Sequence, residues 1–556
     1  MQTTTRGLPL PGRLRLKTIA LTTVLALGAG LTGCADDSSD QPADAADAYD
    51  PISVSASPPD GPLIPTDTEE QGRKTLVFVL FEGLVRVDET TGQVVNAVAE
   101  SVETDDAVTW TVQVKQGQLF ADGSAVTAAS FVDAWNWGAR IENVQKAAGD
   151  LAVIKGYDAV HPTAADATAS ARELSGLKLV DELTFTIELT EAWSGFRAHL
   201  TSVVFSPLPR AFFDDVEAWK EHPFGNGPYQ IRGEIDQSTG TYVEVNPNYT
   251  GVRQVHNTGL YYRYYTDPDA VYQDVLADNL DVGSASGAGL LTARADFGDR
   301  FVTGPGGPTQ TLTFPLYDEF WGSADGLLVR QAISHAIDRQ AIVDTIFAGL
   351  GSPAKEYTQI GLDGWSDSIP GNEVLDYDVE LAKWLLGQAG GYPYDELKLY
   401  YNADGAHKAW IEAVANQLRE NLGLNAVPGP ITTFPQFLEQ RDAHELTGPW
   451  RASEIPFNPS LDDMLRNVYS KTGGASSQSG WSSDEYESLL AQGRSALTAE
   501  QAVTYFNQAQ EILFRDLPAI PLWYSYSSTI HSTRVTGVII GPAGATTSHL
   551  YERVVA

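Results

Sequence analysis

The chain has 556 residues, 72 acidic against 36 basic side chains, a formal net charge of −36 and a single cysteine. Such a surface repels nucleic acid and offers no polybasic attraction to anionic lipid, and one cysteine rules out a disulfide framework. At this length several lobes are expected rather than one core.

Residues 1–33 read as an export signal. Arg6, Arg13, Arg15 and Lys17 form a basic leader, and residues 19–31 are an apolar run too short to span a bilayer. Leu31-Thr32-Gly33-Cys34 follows and looks like a bacterial lipobox, which makes Cys34 the lipidated first residue of the mature chain; the alternative for a lone cysteine is a buried thiol. Residues 35–65 are rich in Ala, Asp, Ser and Pro without an apolar period, so a flexible tether is expected.

Trp110, Val112 and Val114 alternate with polar residues as in a half-buried strand. Phe120-Ala121-Asp122-Gly123 reads as a turn, and Thr127 as the cap of a helix with Phe131 and Trp135 four apart on one face. Leu183, Phe185, Ile187 and Leu189 repeat the strand alternation, and Gly225-Asn226-Gly227-Pro228-Tyr229 turns into another strand. Over residues 328–350 the period becomes helical, with Val329, Ala332, Ile333, Ala336 and Ile337 on one face and Gly351 as the stop; Asp338 and Arg339 are expected to pair. Asp378 caps the next predicted helix, and Ser482 with Glu485 and Thr498 with Gln501 read as capping boxes. Residues 518–526, apolar and aromatic, read as a returning strand. Helices alternating with short strands make the fold class α/β.

Enzyme constellations fail on inspection. The nine histidines never fall at HExxH or HxH spacing, a second cysteine for zinc is missing, and the elbow-like Gly283-Ser284-Ala285-Ser286-Gly287 has alanine at its centre. A hydrolase built from distant residues stays the alternative from another class.

The wording of several segments is more specific than their pattern. Leu80-Phe81-Glu82-Gly83-Leu84, Ala99-Glu100-Ser101, Trp110-Thr111-Val112 and residues 120–128 resemble the opening of the peptide-binding family 5 of extracellular solute-binding proteins, which serve ABC importers. Val329-Arg330-Gln331-Ala332-Ile333, Ala336-Ile337-Asp338-Arg339, and Tyr401-Asn402 with His407-Lys408 resemble that family too. The resemblance implies a type II periplasmic-binding fold: two ligand-gripping lobes joined by hinge strands, plus an inserted lobe. Its lobes would be residues 63–85, 222–313 and 525–556 (first), 86–221 (inserted) and 314–524 (third), after a signal peptide at 1–33 and a linker at 34–62. Hinge strands are expected near residues 314–318 and 522–524.

The resemblance also implies the function: a lipid-anchored receptor, monomeric, on the outer face of the cell membrane, delivering peptides to an ABC permease without cofactor or metal. Its ligand residues would include Asn402, His407 and the helical row Phe434, Leu438 and Arg441, a row that would equally suit a core-facing stripe but for the cost of burying Arg441. Trp450 would be a cleft wall or core. Trp450-Arg451-Ala452-Ser453-Glu454 departs from the family's W-x-A-D, where the aspartate meets the peptide's amino group; Ser453 stands in its place, and Glu454 substitutes only if the strand end turns it inward. Phe314, Tyr317, Asp318, Trp523 and Tyr524 would lie on the hinge segments, with Asp318 the second candidate for the amine. Trp450, Phe434 and Trp523 would alternatively stack on the rings of an oligosaccharide.

Overall fold

Ile52, Val54 and Ala56 alternate with Ser53 and Ser55, and in the computed structural model this stretch is a strand at the centre of the main sheet. The structure describes residues 49–163, 168–285, 289–456, 458–471, 473–541, 549 and 551–555; Cys34 lies outside them. The strand Ile52–Ala56 corrects the sequence reading, which leaves these residues in the linker. Its five residues are stabilised by parallel pairing with Gly259–Tyr264 and by Val54 against Val282, partners some two hundred residues away that no local pattern reveals.

Among the described residues the main sheet has eleven strands. Their spatial order is Ala426–Ile431, Leu397–Asn402, Trp450–Glu454, Phe301–Thr313, Ala519–His531, Val282–Gly283, Ile52–Ala56, Gly259–Tyr264, Gly240–Val245 and Tyr229–Ile231, with Gly351–Pro353 pairing on Ala519–His531 off this path. The two 13-residue strands in the middle belong to both halves. Residues 309–313 of the first pair with Trp450–Glu454 on one side, whereas its residues 301–305 pair with residues 526–530 of the second.

The crossing point is a break in that ladder. Between Pro305 and Thr309 the register shifts opposite residues 524–526, and Pro305 and Pro308 bring no N–H to it. A Cβ on Gly307 would lie 2.9 Å from the Cβ of Ser525, so the backbones approach as only glycine permits. The Gln359 amide donates to the Gly307 carbonyl at 2.6 Å and steadies the bulge. The break therefore falls earlier than the 314–318 segment the sequence suggests, because the Pro-Gly-Gly-Pro interruption, not the end of the strand, separates the two cores. One core gathers Ile52, Leu80, Trp135, Phe185 and Tyr262; the other runs from Leu312 and Phe314 to Trp523.

The segment around residues 99–188 builds a four-stranded antiparallel sheet, Ala99–Thr104, Thr109–Val114, Thr184–Glu188 and Leu177–Leu179 in spatial order. Thr109–Val114 buries Trp110, Val112 and Val114 on alternate positions, and the helix Ala128–Ala139 starts after Thr127 and packs Trp135 edge-on against Phe131, Phe185 and Phe205. This lobe also touches the far half of the molecule. Trp193 Nε1 donates to Asp462 Oδ2 at 2.7 Å, Arg494 Nη1 reaches the same oxygen at 3.1 Å, and Arg494 Nη2 reaches Glu191 at 2.8 Å. Ser194 adds bonds to the carbonyls of Gly493 and Arg494, and the Arg494 guanidinium lies 5.0 Å over the Trp193 ring.

Three local expectations change. The helix expected over residues 328–350 is two, Ala324–His335 and Arg339–Ile346, because the Asp338 carboxylate caps the second by accepting from Ala341 N–H. Asp338 and Arg339 do not pair; the Arg339 guanidinium, fully buried, donates to the carbonyls of Ser334, Leu375 and Pro521 instead, and burial lowers its pKa to about 9. Ser483, one residue after the expected cap, accepts from Tyr486 N–H and starts the helix Asp484–Arg494, while Thr498 caps Ala499–Asp516 as the sequence suggests.

Candidate ligand-binding cleft

A cavity of about 820 Å³ lies where the long strands cross. One wall comes from Val54 to Ser57 at the end of the first strand, Thr75 and Phe78 on the helix Gln71–Leu80, and Tyr262 and Tyr265. The hinge supplies Gly306, Ser528 and Thr529, and the opposite wall is Gln359, Ile455, Pro456, Asn458 and Pro459. Among the described residues its charged lining side chains are Lys74 and Asp267, so the space is mostly apolar surface with hydroxyls and backbone, suited to a ligand recognised along its middle by hydrogen bonds. Ile455, 60 % exposed, presents apolar surface to it.

The strand Trp450–Glu454 leads from this cavity into a second pocket of about 170 Å³. Phe434, Arg441, Ser453 and Glu454, all named from the sequence, line it together with Phe437 and Arg451. The helix Phe434–Asp442 is capped by Thr433, which accepts from Gln436 N–H, and that start sets Phe434, Phe437 and Arg441 on the pocket side. Arg451 lies 5.0 Å over the Phe434 ring and 5.2 Å over Phe437. Arg441 Nε donates to Asp442 at 2.9 Å, and with the Gln478 amide oxygen turned toward it Arg441 Nη2 donates there at 2.8 Å. Burial raises the Glu454 carboxyl above its usual pKa against the opposing pull of Arg441 and Arg451; burial and then repulsion from Arg441 lower Arg451. The Ser453 hydroxyl accepts from Gln310 Nε2 at 2.7 Å.

The other named residues stand behind these walls. Leu438 packs on the small cluster of Ile431, Phe437, Leu446 and Trp450, in which Trp450 is 1 % exposed. Asn402 accepts from Arg451 Nε at 2.9 Å. His407 Nδ1 accepts from Trp410 Nε1 at 3.3 Å, and burial, helped by Arg451, lowers its pKa to about 4, so the ring is neutral. Tyr317 stacks on His444 and donates to the Leu446 carbonyl at 2.7 Å. The Asp318 carboxylate caps the turn at Phe320 and Trp321 N–H. Phe314 and Trp523 are core, Trp523 lying between Trp410 and Phe347, and the Tyr524 hydroxyl is held by Lys355, Glu356 and Trp365. With Trp450 and Trp523 buried, neither offers a flat face for a sugar ring. Sequence reasoning missed Arg451 and the whole first wall; for the latter the alternation of residues 52–57 was the available signal.

Residues 93–476 match the family described as bacterial extracellular solute-binding proteins, family 5 Middle. The oligopeptide-binding protein OppA of Bacillus subtilis is 22% identical over 483 residues, covering 84% of this chain and 85% of that protein. The periplasmic murein peptide-binding protein MppA of Escherichia coli is 25% identical over 473 residues, 81% of this chain and 82% of its own. Among solved structures, the unliganded open form of the MppA murein tripeptide-binding protein superposes with a TM-score of 0.80 at 22% identity, covering 91% of this chain and 97% of that one. Haemophilus influenzae OppA in complex with RPPGFSPFR gives 0.62 at 19% identity, covering 92% and 100%. The fold is thus the type II periplasmic-binding architecture, and the chain belongs to the bacterial extracellular solute-binding proteins of family 5, which are binding proteins and not enzymes.

Proposed function

We propose that this chain captures a peptide between its lobes and delivers it, as a monomer, to the permease of an ABC importer. The observation that carries the reading is the 820 Å³ cavity at the strand crossing, with few charges, abundant hydroxyls and walls from both halves. The names of the relatives, oligopeptide-binding OppA and murein peptide-binding MppA, support the ligand class. Phe434, Arg441 and Ser453 then serve the ligand directly, while Glu454 faces the two arginines of that pocket and Asn402, His407, Leu438, Trp450, Tyr317, Asp318, Phe314, Trp523 and Tyr524 hold the walls in place.

Native mass spectrometry of gently purified protein is expected to show a co-purified peptide; a carbohydrate mass instead would overturn the reading. A ligand touching both walls binds the closed arrangement better and shifts the population toward it. Small-angle scattering should therefore give a smaller radius of gyration at ligand saturation, and an unchanged radius would remove the closure step.

Membrane attachment in this reading comes from Cys34. Two acyl chains anchor stably, at about 0.8 kcal/mol per buried CH₂, where one binds only marginally. Cys34→Ser is expected to move the tagged protein from the membrane to the soluble fraction, and identical partitioning of both forms would count against the anchor. Among the described residues no helix is long and apolar enough to cross a membrane.

A further inference from the structure

Arg451 differs from the other buried arginines. Arg73, Arg253 and Arg494 each meet a carboxylate, and Arg330 and Arg339 each donate to three or more carbonyls. Arg451, 8 % exposed, places both Nε and Nη2 on one neutral acceptor, Asn402 Oδ1, and has no ion pair among the described residues. A buried guanidinium without a counter-ion is costly. Arg441 lines the same pocket, 5.9 Å from the Phe437 ring that Arg451 also approaches, and the two like charges repel. Glu454 is the one carboxylate among the pocket's described lining residues; Asp442 is engaged by Arg441 Nε, and Asp404 caps the Phe434 N–H. The lining residues therefore bring two guanidiniums and one carboxylate, Arg441 sharing its charge with Asp442 outside the lining while Arg451 has no carboxylate in contact, in a volume that holds about five or six waters or a carboxylate with a few carbons.

We propose that this pocket receives a carboxylate of the ligand, held by Arg441 and Arg451, and that Glu454 balances the second guanidinium instead of meeting an ammonium group. The proposal rests on the peptide reading above and narrows it to peptides that bring an acidic end or side chain here and need no free amino group at this point. A planar guanidinium edge matches a carboxylate in a bidentate fork, and the aromatic rings beneath keep water from competing with it.

The test uses four pools of random tetrapeptides made from uncharged residues: free amine with free acid, N-acetylated acid, free amine with C-terminal amide, and doubly blocked. Each is incubated with the protein stripped of co-purified ligand by reversible unfolding, and captured masses are read by native mass spectrometry, with calorimetry on the best binder. Expected is capture of both acid pools, with amidation weakening the chosen peptide 30-fold or more and N-acetylation changing it less than threefold. Arg441→Gln and Arg451→Gln should each erase the preference for acid over amide, and Glu454→Gln should leave acid binding unchanged or tighter. Loss of acid-peptide binding in Glu454→Gln, or dependence on the free amine with indifference to amidation, overturns the proposal while leaving peptide binding intact. Capture from none of the pools by refolded protein overturns the peptide reading, and the proposal with it. The wild-type comparison of acid with amide decides the matter even if an arginine variant fails to fold.

Discussion

Asp462→Ala is expected to destabilise the folded chain by about 3–5 kcal/mol, the usual cost of stripping one partner from a buried ion pair. Asp462 is 1 % exposed and receives both the Trp193 indole and the Arg494 guanidinium, so alanine orphans a charge and a donor together. Burial works against both ions, raising the Asp462 carboxyl and lowering Arg494, and their mutual attraction, with the indole hydrogen bond behind it, offsets part of that cost. Glu191, mostly in solvent, contributes little by comparison. Removing both charges in Asp462→Ala with Arg494→Met should recover much of the loss. Urea denaturation of the three proteins measures this, and a loss below about 1 kcal/mol in the single variant would contradict it.

The second large effect is pH-dependent. Glu356 is wholly buried behind the hinge, where Thr358 Oγ1 and Gln510 Nε2 donate to its two oxygens, and burial pushes its pKa up to about 8 from the usual 4.5. The folded chain therefore holds a proton that the unfolded chain releases above about pH 4.5. Stability from this group is fully present below that value and is lost as pH rises toward 8, by roughly 5 kcal/mol at most. Glu356→Gln carries no titrating proton and should flatten that part of the profile, so that it gains on wild type as pH rises from 5 to 9. Urea midpoints at the two pH values check the sign; parallel profiles for the two proteins would show that Glu356 is not the group responsible.

Much of the inserted lobe was legible because its burial is periodic: Trp110, Val112 and Val114 alternate, and Phe131 and Trp135 share a helix face, whatever their partners. The strand Ile52–Ala56 was not legible, since its stability comes from Leu260, Tyr262 and Val282, far along the chain. Parity hid the roles of Phe314, Trp523 and Tyr524. A strand beside a cleft has one face toward ligand and one toward core, and only the register against neighbouring strands tells which residue takes which. In the second pocket, the helix spacing did find Phe434 and Arg441, but Arg451 became visible only once the strand Trp450–Glu454 was laid beside Phe434 and Phe437.

The contact between Trp193 and Asp462 also has a topological meaning. From the first lobe the chain passes through the hinge to the third, the third is fastened to the inserted lobe at Asp462 and Arg494, and the inserted lobe returns covalently to the first. This is a closed circuit, and both Gly306 at the hinge and Asn458, which meets His199 beside that fastening, border the space inside it. A long polymer cannot slip sideways into such a ring; it must thread end-first or wait for the fastening to part. Parting that fastening, as Asp462→Ala would do, is expected to open a sideways route into the ring.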